Sequence, residues 1–189
     1  LARPDVKARL AGDVTIEITG AVPMLAHVAT QVVDAQLSSF LSALVVIAFM
    51  MMIVLRSFWV GLLSMLPNVL PIVATLGLMG WIGVPLNFTT VMIASIAIGI
   101  AVDDTIHLLV RAKHETLLAG GDHTLAVERT MASVGRPVLF TSVVIAGGFS
   151  ILALSVLVPA GHFGLLTALC MGLALLAALF LTPLLVIAL

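Results

Sequence analysis

Charge is scarce in this sequence. Of its 189 residues only 9% are Asp, Glu, Lys or Arg, against 62% hydrophobic, and the mean hydropathy is +1.30. Soluble domains carry about 25% charged residues, so a water-facing surface over the whole chain is excluded and the class is that of membrane proteins. Eight basic and nine acidic residues leave a net charge of −1, with no excess of positive charge to hold nucleic acid. Cysteine is nearly absent. Cys170 is the single one, which excludes an intrachain disulfide framework and leaves the redox compartment open. The chain begins at Leu1 without a charged n-region ahead of a short apolar stretch, so it reads as a portion of a longer protein.

What the sequence does have is long apolar runs, at 37–55, 59–82, 88–110, 138–158 and 163–189. Each is near the roughly 20 residues needed to cross a bilayer as a helix. The first continues a helix expected to start near Pro23. The second is interrupted by "PNVLP", where Pro67 and Pro71 remove backbone donors, so a kinked or locally opened helix is expected. "WIGVPLNFT" and "VPAGHFG" read as short turns marked by Gly and Pro. Ahead of the runs, residues 14–19, "VTIEIT", alternate apolar and polar like a half-buried strand. Residues 1–22 thus read as the end of a water-exposed domain, and 23–189 as the transmembrane domain. The fold class is an all-α membrane protein of five transmembrane helices with a remnant strand at its N-terminus.

Between the third and fourth runs lies the one long polar connection. Asp122 is placed to cap a short helix over 123–134, with Gly135 as its stop. Val127, Met131 and Val134 share one face, the pattern of an amphipathic helix lying in the membrane interface. Arg56 ends the first run, and Arg111, Lys113, Arg129 and Arg136 lie between the third and fourth, whereas the opposite turns at 83–87 and 159–162 hold no Lys or Arg. The positive-inside rule makes the basic side cytoplasmic, with the N-terminal strand outside.

The third run breaks the apolar rule. "GIAVDDTIHLL" (99–109) sets Asp103 and Asp104 about eight residues from the cytoplasmic end of the run, roughly 12 Å deep at 1.5 Å per residue. An ionised Asp at mid-helix costs about 2.5–3.5 kcal/mol, so the pair costs about 5–7. That sum leaves insertion marginal if the acids meet lipid, and the bundle interior is their expected place. On a helix, His107 falls angularly between the two carboxyl groups, while Gly99 and Ser95 continue the Asp103 stripe. A Gly one turn away admits a close neighbouring helix. Two carboxylates in a low dielectric resist carrying two charges at once, which is the physical requirement for a proton relay.

Three other readings compete. The acids can be structural, holding helices together by hydrogen bonds. Asp-x-x-x-His puts two potential metal ligands on one face, although no second ligand cluster occurs in the runs. Two aspartates also serve intramembrane proteolysis, but that chemistry needs them on different helices. Among hydroxyls, Thr141 and Ser142 fall about one turn into the fourth run, near the level of the acids, and Thr141 is the candidate relay partner. Thr167 and Thr182 lie in the fifth run, and buried Thr is most often satisfied by its own helix. His27, His114, His123 and His162 read as solvated.

At these residues the sequence resembles a known family. "GIAVDDTIHLL" is similar to the Gly-x-x-x-Asp-Asp motif on the fourth or tenth helix of the resistance-nodulation-division (RND) superfamily. The nearest branch is the exporter type related to the mycobacterial membrane protein large (MMPL) group, whose helical core is shared with sterol-sensing domains. "RSFWVGLLSMLPNVLPI", ahead of the motif, resembles a loop and the helix after it in those proteins, "GRPVLFTS" the start of the helix after the amphipathic segment, and "FGLLTAL…LTPLL" the last helix of a half. The resemblance implies helices two to six of one six-helix half, with "VTIEITG" as the last strand of an inserted extracytoplasmic domain. It implies that Asp103 and Asp104 carry protons whose uptake drives a rocking of helices, that Thr141 is a hydroxyl near the relay, and that His107 follows the motif.

The function expected from residues and resemblance together is proton-driven export of a hydrophobic or lipid-like substrate across the inner (cell) membrane. The chain is then no enzyme and needs no cofactor beyond protons as coupling ion. Its expected partners are membrane lipids, the substrate, and a second half or a second copy. The alternative is a non-transporting lipid- or sterol-sensing module in which the acids are structural.

Overall fold

The computed structural model describes residues 21–85 and 87–188. The strand expected over 14–19 lies outside the described residues, and no strand occurs among those that are described. Five helical stretches are long and apolar enough to cross a membrane, as expected, though several of their ends differ from the sequence reading.

Helix α1 runs over Ala21–Leu55, 35 residues or about 52 Å, so its first turns project beyond a hydrocarbon core of about 30 Å. It ends at Arg56, the one non-Gly residue of positive φ among those described (50°). Ser57 then caps α2 (Phe58–Leu63), its hydroxyl accepting from the Val60 amide at 3.5 Å. Gly61 allows α2 to turn back on α1: a Cβ there would lie 2.6 Å from the Met52 Cα.

The second run is two helices. The chain breaks at Ser64 and Met65 and restarts as α3 (Leu66–Ile82), with Pro67 in its first turn and Pro71 inside it. A proline in a first turn forfeits no helical bond, because the donors there have no partner. The opening is closed off by side chains. The Ser64 hydroxyl donates to the Gly61 carbonyl at 2.6 Å, and the Asn68 amide donates to the Ser64 carbonyl at 3.0 Å. Gly83, at φ 74°, ends α3 in the left-handed conformation.

Asn87 starts α4 (Phe88–Leu118) through a reciprocal cap. Its side chain accepts from the Thr89 and Thr90 amides at 3.0 Å each, while its own amide donates to the Thr90 hydroxyl at 2.8 Å. Helix α4 extends two turns past the expected end at 110 and stops before Gly120 and Gly121, both at positive φ. Asp122 caps α5 (His123–Thr130), accepting from the Leu125 amide at 3.0 Å as its position suggests.

Gly135 does not stop that helix. The chain passes through a π turn at Met131–Gly135 directly into α6 (Arg136–Ile151). Pro137 offers no amide to the carbonyl of Ser133, and a widened turn absorbs the lost bond without ending the helix. The buried face of α5 centres on Ala126 and Thr130, so it packs on the end of the bundle, while Val127, Met131 and Val134 are only half-buried.

The turn expected at 159–162 lies earlier, at 155–157. A short 3-10 segment, Leu152–Leu154, ends α6, and α7 begins at Val158 and runs to Ala188. Pro159 therefore serves in the first turn of a helix rather than in a loop. Gly164 lets α6 and α7 approach: a Cβ there would meet the Phe149 carbonyl at 2.6 Å. Helix α4 is central, packed against α1, α3 and α7, with α7 also lying along α3 and α6. Met51, Ile72, Met79, Ile98, Leu109 and Cys170 form the heart of the core. The basic residues do gather at one end, where Lys113 Nζ donates to the Leu55 carbonyl at 2.6 Å.

Candidate functional site

The cap at Asn87 sets the rotation of α4, and the 3.6-residue period then sends Asp103 and Asp104 to different neighbours. Asp104 is half-buried against α6, where its Oδ2 accepts from the Ser142 hydroxyl at 2.9 Å. Asp103 is 74% exposed, and its Oδ1 lies 3.5 Å from Nε2 of His107, itself 67% exposed. Both acids open onto a groove of about 680 Å³ between α4 and α6, lined also by Gly99, His107, Pro137 and Thr141. Asp103 thus does not face the bundle interior expected for it. The two acids are about 100° apart around the helix, and α6 covers only the sector of Asp104. No helix among the described residues covers Gly99, where an added Cβ would meet nothing within 4 Å.

Thr141 sits on the groove wall, yet its hydroxyl lies 3.0 and 3.1 Å from the carbonyls of Val138 and Pro137 on its own helix. Ser142 is the hydroxyl in contact with an acid. Its neighbour Thr141 differs from it by 100° of helix rotation, which no reading of depth alone distinguishes. Ser95, on the stripe of Asp103, accepts from the Gln36 amide of α1 at 2.9 Å. Thr167 donates to its own helix at Phe163 (2.6 Å), and Thr182 is buried in α7; both lie away from the groove. Among the described residues no group of three or more His, Cys, Asp or Glu side chains is arranged to hold a metal.

Three functional-looking residues escaped the sequence reading. Thr105, next to the acids, is 1% exposed; its hydroxyl lies 2.8 Å from Asn68 Oδ1 and 3.0 Å from the Ala101 carbonyl. Asn68 in turn holds Ser64, so the acid motif is tied by hydrogen bonds to the break between α2 and α3. Glu115 is 4% exposed and pairs with Arg111 at 2.6 Å and Arg129 at 3.9 Å, joining α4 to α5. For Thr105 and Asn68 the signal was present: a polar residue inside an apolar run must find a partner. His123 also departs from the solvated reading, since it is half-buried and its Nδ1 is enclosed.

A helix bundle of this hydropathy with carboxyl groups at mid-span defines a multi-pass membrane protein whose acids face a groove. The model of the MMPL family matches residues 5–189. The chain belongs to the MMPL family, within the RND superfamily. It is 26% identical over 174 residues to a Methanocaldococcus jannaschii protein named as a membrane protein, covering 92% of this chain. The chain spans 45% of the length of that curated relative. No solved structure gives a significant match.

Proposed function

We propose that this chain is one half of a proton-driven exporter of a hydrophobic or lipid-like substrate in the cell (inner) membrane. The family membership supports a transport or lipid-related role. The observation that carries the finer reading is the groove between α4 and α6, where Asp103, Asp104 and His107 lie together at mid-span and Ser142 donates to Asp104 from behind. Protonation there changes the charge of a group in a low-dielectric setting. A group of that kind biases two helix packings that differ in its solvation. In this reading a proton enters from the outer side, neutralises the acid pair and leaves toward the cytoplasm, with Thr141 on the wall of its path. The links from Thr105 to Asn68 and from Asn68 to Ser64 carry the rearrangement to the broken second span.

Asp103 and His107 are too exposed to be left against acyl chains, because a charged group at mid-bilayer costs several kcal/mol, about 2.5–3.5 on insertion scales. A second half, or a second copy of the chain, covers that face in the working protein.

The test is efflux by the full protein in cells and in vesicles with an imposed pH gradient. Asp103→Asn and Asp104→Asn abolish gradient-driven efflux while both variants insert at the wild-type level, and an uncoupler abolishes wild-type efflux. Undiminished efflux in both variants, or indifference to the uncoupler, rejects the relay and favours a lipid-sensing role for the same helices.

A further inference from the structure

A second cavity lies away from the acids, at the end of the bundle that gathers the basic residues. The ends of α1, α4 and α7, together with α2 and the start of α5, border an open slot of about 240 Å³. Leu55, Val60, Leu109 and Val186 give it apolar walls, and its polar residues are Lys113, His123 and Thr116, whose hydroxyl is taken by the Ala112 carbonyl. Lys113 lies ten residues beyond Asp103 on α4, about 15 Å nearer the membrane surface. Its Nζ donates to the Leu55 carbonyl at the end of α1, and an ammonium group has two donors left. The neighbouring arginines, Arg111 and Arg129, are both engaged with Glu115. No carboxylate among the described residues pairs with Lys113. The Nδ1 of His123 is buried without a hydrogen-bond partner among the described residues, and buried polar atoms are seldom left so.

An apolar slot with an exposed, carboxylate-free lysine at its mouth fits one chemistry well, an acyl chain ending in an anionic head. Basic pockets between membrane helices on the cytoplasmic side hold anionic lipid head groups. We propose that this cavity binds an anionic phospholipid of the adjoining leaflet. Its phosphate sits on Lys113 at the mouth of the slot, and the upper part of one acyl chain lies along Leu55, Val60, Leu109 and Val186. The lipid bridges α1, α4 and α5 and so fixes α5 against the bundle. The site is separate from the acid groove and stands whether or not the acids relay protons.

The experiment is native mass spectrometry of the purified full protein in neutral detergent, titrated in turn with phosphatidylglycerol, phosphatidylcholine and oleate. Phosphatidylglycerol is retained about fivefold more tightly than phosphatidylcholine, the preference one lysine near an anionic head supplies. Lys113→Gln keeps a donor for the Leu55 carbonyl but removes the charge, and it brings phosphatidylglycerol down to the phosphatidylcholine level. Val60→Trp fills the slot and lowers the retention of both lipids. Asp103→Asn leaves phosphatidylglycerol retention unchanged, which separates this site from the relay. Equal retention of the two phospholipids by the wild type overturns the proposal. So does full phosphatidylglycerol retention in the Val60→Trp protein, or a preference for oleate over phosphatidylglycerol.

Discussion

Two faces of α4, only two residues apart in sequence, have opposite fates. Thr105 is sealed inside the chain, hydrogen-bonded to Asn68 and flanked by buried Ala101, Val102 and Leu109. Asp103 is open, with His107 as its neighbour and empty space beyond Gly99. On the closed face each polar group is satisfied by this chain. On the open face the polar groups are the most costly ones to leave in hydrocarbon, and no helix among the described residues covers Asp103. The contrast teaches that the two faces of α4 differ in kind: one is fixed to its own bundle, and the other stands open.

The largest effect on this contrast is the loss of gradient-driven efflux in Asp103→Asn and Asp104→Asn, because the open face then has nothing to titrate. The glycines probe packing. Gly61→Ala forces a Cβ onto the α1 backbone and costs about 1–3 kcal/mol as overpacking, whereas Gly99→Ala is accommodated within about 0.5 kcal/mol. Thermal unfolding of the two detergent-solubilised variants measures the difference, and equal melting temperatures contradict it.

Thr105→Val keeps the shape of the closed face but strips Asn68 Oδ1 of its hydroxyl donor, leaving a buried acceptor at a cost of about 1–3 kcal/mol. A melting temperature unchanged from wild type removes the Asn68 link from the account. The smallest effect distinguishes the two hydroxyls on α6. Ser142→Ala deletes the contact to Asp104, a hydrogen bond to a charged group worth about 1.5 kcal/mol, and slows efflux about tenfold. Thr141→Ala, whose hydroxyl is tied to its own helix, changes the rate less than about twofold. Initial efflux rates at a fixed pH gradient decide between them, and a reversed order returns the relay role to Thr141.

Much of the fold was legible because hydropathy and helical period are local properties. The five apolar helices, the Asp122 cap and a break in the second run, which falls at Ser64 and Met65 just ahead of "PNVLP", all follow from short stretches read alone. The errors at helix ends share one cause, in that Pro and Gly signals are ambiguous until their neighbours are known. Pro159 marks a turn in isolation, yet it works equally well in the first turn of α7. Gly135 resembles a helix stop, yet Pro137 downstream turns the same stretch into a π turn that carries the helix onward. Glu115 looks like one more charge in a polar connection until α5 folds back and brings Arg129 to it.

Composition and periodicity alone established a membrane protein, five runs long and apolar enough to cross, and two acids at mid-span of the third, since each of these depends only on residues adjacent along the chain. Only tertiary structure decided that Ser142 rather than Thr141 meets Asp104, that Asp103 stands open, and that Asn68 is locked to Thr105. Those outcomes turn on which helix lies beside which face. A rotation of 100° between neighbouring residues means nothing until a second helix takes its place.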